Sequence, residues 1–186
     1  MTVSLKLCKT NPFIDYPQFK SIWPEFSSGI AQEVIAESIE KQEKGIYVIF
    51  DDDTPVGITG YFDLEYPNGE YWGLRWHGVL PEYRGKGISE QALYITALEL
   101  KKHQPEVYGL VEYIPHTDYS KYIFSYFERF GFKALAEPEE VDWAPHKIQA
   151  YGMPVDDLID FGISRNIIPT KPSYKIASFF RQKLKK

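Results

Sequence analysis

The order and spacing of apolar residues predict an α/β fold, a mixed central sheet of about seven strands with helices on both faces. Three observations carry this expectation. Short stretches with strand alternation or β-branched and aromatic content recur along the chain, and stretches with helical spacing lie between them. Neither an internal repeat nor a low-complexity run interrupts the pattern. Hydrophobic residues make up 44% of the 186, which suits one domain with a sizeable core.

The first element is Val3-Ser4-Leu5-Lys6-Leu7, whose alternation is that of a half-buried strand. Phe13, Tyr16, Phe19 and Ile22 then fall at roughly helical spacing. Pro24 and the Ser27-Ser28-Gly29 turn separate this helix from a second. The second sets Val34, Ile35 and Ile39 on one face, with the charged run 37–44 opposite and Gly45 as its stop. Residues 46–50 and 56–64 read as a hairpin, and 71–80 as the next strand after a Pro67-Asn68-Gly69 turn. A helix over about 89–102 presents Ala92, Leu93, Ile95, Thr96 and Leu100. Residues 107–114 form a strand, and 120–130 an aromatic helix ended by Gly131. Residues 132–135 and 147–153 supply the closing strands.

These elements define a domain over 1–153, followed by an extension over 154–186. The extension holds a short helical candidate at 156–161, a Pro169/Pro172 break and a basic helix from Ser173. That last helix sets Ile176, Phe179, Phe180 and Leu184 against Lys175, Arg181, Lys183, Lys185 and Lys186. Docking on its own domain, or on a second copy in a homodimer, fits it better than a membrane surface.

The formal net charge is -5, without the dominant basic stripe of a nucleic-acid binder. Cys8 is the sole cysteine, so no internal disulfide forms, and its alternating surroundings predict a buried thiol. The N-terminus lacks a signal-peptide pattern and no apolar run approaches the ~20 residues of a membrane span. A cytoplasmic protein is expected. Asp51-Asp52-Asp53 lacks the further oxygen ligands of a calcium loop and reads as a turn, and the four histidines are too widely spaced to suggest a metal.

Chemistry concentrates in Arg84-Gly85-Lys86-Gly87, which lies between a strand and a helix. The first N–H groups of a helix lack internal partners, and the helix dipole adds partial positive charge there. A pyrophosphate can accept those bonds, and glycine lets the backbone approach it closely. The spacing does not fit a P-loop, since Gly87 follows Lys86 where serine or threonine is needed. It does not fit the dinucleotide fingerprint either, which requires a third glycine near Glu90.

The wider segment from Trp76 to Ser89 resembles the acetyl-CoA motif of the GNAT superfamily of N-acetyltransferases: Arg/Gln, two residues, Gly, one residue, Gly/Ala, after a strand ending in Val-x-Pro. Arg84 and Gly87 match, and Ser89 stands where Gly or Ala is usual. Tyr126-Phe127-Glu128-Arg129-Phe130-Gly131-Phe132 is similar to the family's second signature. The resemblance covers about 1–153. It implies acetyl-CoA as co-substrate, held by Val79, Leu80, Arg84, Gly85, Lys86, Gly87, Ile88 and Ser89, with Ser120 and Phe127 along the pantetheine arm. It also implies direct acetyl transfer to the primary amine of a small molecule or peptide.

An alkyl ammonium with a pKa near ~10.4 must lose a proton before attack. Glu112, His77 and Glu65 are the candidate bases. The family tyrosine that protonates the departing thiolate maps to Phe127, which has no hydroxyl. Tyr126 is a candidate replacement, although a turn of about 100° relative to Phe127 is expected to aim it elsewhere. Tyr119 and Tyr122 are further candidates. The loss of that hydroxyl, together with Ser89, leaves a second reading: a GNAT-fold protein that binds coenzyme A without transferring acetyl.

Overall fold

A computed structural model describes residues 2–22, 37, 45–64, 70–117, 120–142 and 145–167. The second helix expected over 34–44, the Pro67-Asn68-Gly69 turn, Glu65, Tyr119 and the terminal helix from Ser173 lie outside the described residues.

Strand β1 (Val3–Leu7) forms as its alternation predicts, at one edge of the sheet. The first helical stretch is split. Helix α1 spans only Pro12–Asp15, capped by the Asn11 side chain, which accepts from the Phe13 N–H at 3.0 Å. A 3-10 turn follows at Pro17–Ser21. Pro17 causes the break, because a proline disfavours helical backbone at the residue before it; Tyr16 has φ -132° and ψ 77°.

Strand β2 (Ile46–Asp51) is buried on both faces. Ile46, Val48 and Phe50 pack with Phe13, Phe19 and Ile22 on one side. Tyr47 and Ile49 point the other way, as strand alternation requires. Strand β3 (Thr54–Asp63) pairs antiparallel with β2 through a turn at Asp52 and Asp53. Asp52 takes φ 51°, and its carboxylate accepts from the Thr2 N–H at 2.9 Å, so the aspartate run closes a hairpin and ties down the first strand. Cys8 sits beside this layer with its thiol pushed up to about 12, chiefly by burial, which makes it inert.

The single strand expected over 71–80 is two strands, β4 (Tyr71–Leu74) and β5 (Gly78–Val79). Both pair with β3, Tyr61 opposite Leu74 and Ile58 opposite Gly78. Four steps on one strand thus oppose three on the other, so one residue bulges out, and Trp76 takes φ 54° within it.

Helix α2 (Ile88–His103), strand β6 (Gly109–Pro115), helix α3 (Lys121–Glu128) and strands β7 (Lys133–Ala134) and β8 (Ile148–Pro154) follow. The sheet order is β1-β2-β3-β4-β6-β8-β7, with β5 on the edge of β3 beyond β4. Among the described strands only β4 and β6 pair in parallel. α2 buries Leu93, Ala97 and Leu100 against the sheet face opposite α1.

Helix α4 (Val155–Ser164) begins past the boundary at 153 but belongs to the same core. Val155, Leu158 and Ile159 are wholly buried against α2, and Lys101 pairs with Asp156 at 3.0 Å. The packed unit therefore runs through Ser164. Among the described residues no helix is long and apolar enough to cross a membrane.

Candidate active site

The bulge that divides β4 from β5 also opens the sheet. β4 and β6 stay paired only from Tyr71/Gly109 to Gly73/Val111. Beyond that point β5 pairs with β3, while Glu112 to Pro115 of β6 pair with β8 alone. The facing edges of β5 and distal β6 thus lack each other's hydrogen bonds. The Leu80 N–H donates to the Val56 carbonyl at 2.8 Å. Antiparallel alternation therefore turns the N–H of Val79 away from β3, onto the open edge. The Leu80 side chain is buried toward α1.

The chain leaves this edge through a 3-10 turn at Pro81–Tyr83 and enters α2 by the glycine loop. Gly85 has φ +73° and Gly87 φ +76°, a region that side chains disfavour, and nothing lies within 4 Å of where a Cβ would sit on either. Gly87 caps α2 with no side-chain hydrogen bond, so the first N–H groups of α2, from Ile88 on, have no side-chain cap. That cradle fits an anionic group. Lys86 lies over the Tyr83 ring at 4.7 Å, exposed. The Arg84 guanidinium donates to the Ile22 carbonyl at 2.9 Å, so it ties the loop to the 3-10 turn after α1.

Across the opening, Glu112 carries a buried carboxyl oxygen, Oε2, with no hydrogen-bond partner. Burial pushes its pKa up to about 8. His77, on the bulge before β5, goes the other way: burial lowers it to about 4, against a smaller opposing effect from a backbone hydrogen bond at Ser89. Its Nδ1 meets Thr59 Oγ1 at 3.0 Å and its Nε2 meets Ser89 Oγ at 2.9 Å.

Tyr126 corrects the helical-rotation argument. Its hydroxyl turns inward to the first turn of α2, 2.7 Å from Ser89 Oγ and 3.3 Å from His77 Nε2. Burial raises the pKa of this phenol, the Ser89 hydrogen bond lowers it in part, and Glu112 is near enough to raise it further. The Ser89 hydroxyl is thus engaged with Tyr126 and His77. Phe127 is buried in the main core against Phe132 at 5.0 Å, and Ser120 is closed into the turn before α3, bonded to Pro115 and Thr117. Tyr122 is 78% exposed on the outer side of α3, away from this cluster.

A profile described as the acetyltransferase (GNAT) family matches residues 14–132. The chain belongs to this family. Solved structures agree in fold. An acetyltransferase from Thermus thermophilus is 17% identical with a TM-score of 0.60, covering 83% of this chain and 97% of its own. The ribosomal-protein-S18-alanine N-acetyltransferase of Escherichia coli is 12% identical with a TM-score of 0.61, covering 83% and 94%. An aminoglycoside acetyltransferase in complex with coenzyme A and kanamycin is 16% identical with a TM-score of 0.60, covering 84% and 96%. No curated protein sequence matches.

For a GNAT acetyltransferase the general reaction is acyl transfer, and the opening between β5 and β6 brings His77, Val79, Ser89, Glu112 and Tyr126 near one another, while Leu80, Arg84, Ser120 and Phe127 are engaged elsewhere. Sequence reasoning missed two: Thr59 and Thr96, whose hydroxyls lie 3.1 Å apart behind His77. Thr96 reads in the sequence as one more residue on the packed face of a helix. The hydroxyl at Ser89, where the family carries Gly or Ala, was the available sign that a polar group faces the start of α2.

Proposed function

We propose that this chain transfers an acetyl group from acetyl-CoA directly to a primary amine, with Glu112 taking the amine proton. The observation that carries this reading is the buried, unpartnered Oε2 of Glu112 beside the opening in the sheet. Acetyl-CoA supplies the acetyl group as an activated thioester when bound. The Gly85–Gly87 cradle and the first N–H groups of α2 suit its pyrophosphate. The Val79 N–H, on the open edge, suits the thioester carbonyl oxygen.

Two bases compete, and their acidities favour Glu112. With a pKa of about 8, Glu112 is charged in roughly a tenth of molecules at pH 7 and binds a proton well once charged. His77, lowered to about 4, is a neutral and weak acceptor at the same pH. Glu112 therefore takes the base role and His77 does not.

The test is coenzyme A release with acetyl-CoA and a panel of primary amines. Wild type releases it in an amine-dependent way. E112Q keeps its affinity for acetyl-CoA and loses about 10²–10⁴-fold in turnover, the usual worth of a positioned base. Wild-type turnover in E112Q sinks the assignment of Glu112. Amine-independent behaviour of a protein that binds coenzyme A favours the non-catalytic reading.

A further inference from the structure

Behind the opening, five side chains form a continuous row of short polar contacts. It runs from Tyr126 Oη to Ser89 Oγ (2.7 Å), to His77 Nε2 (2.9 Å), and from His77 Nδ1 to Thr59 Oγ1 (3.0 Å). It ends at Thr96 Oγ1 (3.1 Å), which bonds the Ala92 carbonyl at 2.7 Å. Four of the members are hydroxyls that can donate or accept, and the imidazole has two neutral tautomers. One member has no choice. A carbonyl only accepts, so Thr96 donates to Ala92.

The rest follows by elimination. Thr96 has spent its single proton, so the short contact with Thr59 needs the Thr59 proton; otherwise two lone pairs face each other in a buried site. Thr59 has then spent its own proton, so the contact with His77 needs a proton on Nδ1. A neutral imidazole protonated on Nδ1 presents a lone pair at Nε2, which accepts from Ser89. Ser89 in turn accepts from Tyr126. For a neutral ring, one arrangement alone puts a proton in each contact of the row, running in a single direction from Tyr126 to Ala92, and the longer 3.3 Å approach of Tyr126 Oη to His77 Nε2 carries none.

We propose that His77 is a positioning residue, held as its Nδ1–H tautomer by this one-way chain, and that through Ser89 it keeps the Tyr126 proton turned inward. The phenol oxygen of Tyr126 is left with its lone pairs outward, as an acceptor of an N–H hydrogen bond from a bound ligand. This accounts for Ser89 and Tyr126 together: the hydroxyl at the former position links the phenol at the latter to His77. The tautomer follows from these contacts for the neutral ring that burial favours. Its consequence for turnover rests on the acetyl-transfer reading above.

The experiment is imidazole nitrogen NMR on the uniformly ¹⁵N-labelled full-length protein, which distinguishes the two neutral tautomers by which nitrogen carries the proton. Wild type shows His77 protonated at Nδ1. In T96V the acceptor of the Thr59 proton is gone and Thr59 is free to donate to His77, so the proton moves to Nε2 and the rest of the chain reverses. Tyr126 then presents a donor instead of an acceptor, and kcat falls at least several-fold with little change in the KM for acetyl-CoA. A wild-type His77 protonated at Nε2, or T96V with the Nδ1–H tautomer unchanged, overturns the proposal. If T96V does not fold, the wild-type spectrum alone decides. Should the tautomers behave as stated while wild type releases no coenzyme A with any primary amine, the chain stands and the acetyl-transfer reading fails, so the two are separable.

Discussion

At the scale of single residues, the site sets two titratable groups apart by burial. Glu112 is pushed up to about 8 and His77 down to about 4, each because its charged form is poorly solvated. The active form of Glu112 is the carboxylate, so kcat is expected to rise with pH, with its inflection near pH 8, and to level off about one pH unit higher. E112Q should lose that inflection and keep only the rise that follows from deprotonation of the amine itself. A pH profile of kcat for both proteins checks this; an inflection near pH 8 retained in E112Q assigns it to another group. Both residues were legible in the sequence as candidates, but their ranking was not, because spacing carries no information on solvation. Tyr126 was misdirected for a related reason. The signature places Phe127 at the cleft, whereas that ring fills the core against Phe132 and the phenol one residue earlier reaches α2.

Among the elements, the long hairpin and helix α2 were legible because local signals agree there. Runs rich in β-branched and aromatic residues on either side of a turn mark β2 and β3, and a left-handed glycine precedes a run of buried residues in α2. The division between β4 and β5 was not legible. Its cause is a one-residue mismatch with β3 that exists only once the strands pair, and residues 71–80 give no sign of it. Pro17 did announce the break after α1, since proline restricts its predecessor, but the spacing of Phe13, Phe19 and Ile22 argued for continuity. Helix α4 makes a direct test of where the domain ends. Leu158 is wholly buried against α2, so L158A should cost about 2–5 kcal/mol in denaturant unfolding. I14A, at a site 75% exposed on α1, should stay within about 0.5 kcal/mol. Equal effects from the two would mean that α4 is not part of the cooperative unit.

For the whole molecule, burying a carboxyl beside the open sheet has a cost that depends on pH. The folded pKa of Glu112 lies above its ordinary value, so its stability contribution is full below about 4.5 and is lost as pH rises through about 8. His77 has the opposite sign: its contribution is full above 6.5 and is lost as pH falls through about 4. The melting advantage of E112Q over wild type should therefore widen from about pH 5 to about pH 9. A constant difference across that range would show that the carboxyl ionises as freely as in the unfolded chain. The account as a whole depends on a cofactor seated on the glycine loop, and calorimetric titration of acetyl-CoA into wild type and G87D tests that most directly. Aspartate tolerates the left-handed backbone that Gly87 adopts, so the fold should survive, as circular dichroism can verify. Its side chain would fill the empty cradle and set a negative charge against the pyrophosphate. The predicted result is saturable binding to wild type and a loss of about 10²-fold or more in G87D. Folded wild type that gives no heat and no melting shift with millimolar acetyl-CoA, or G87D that binds within a factor of about two of it, would contradict the account.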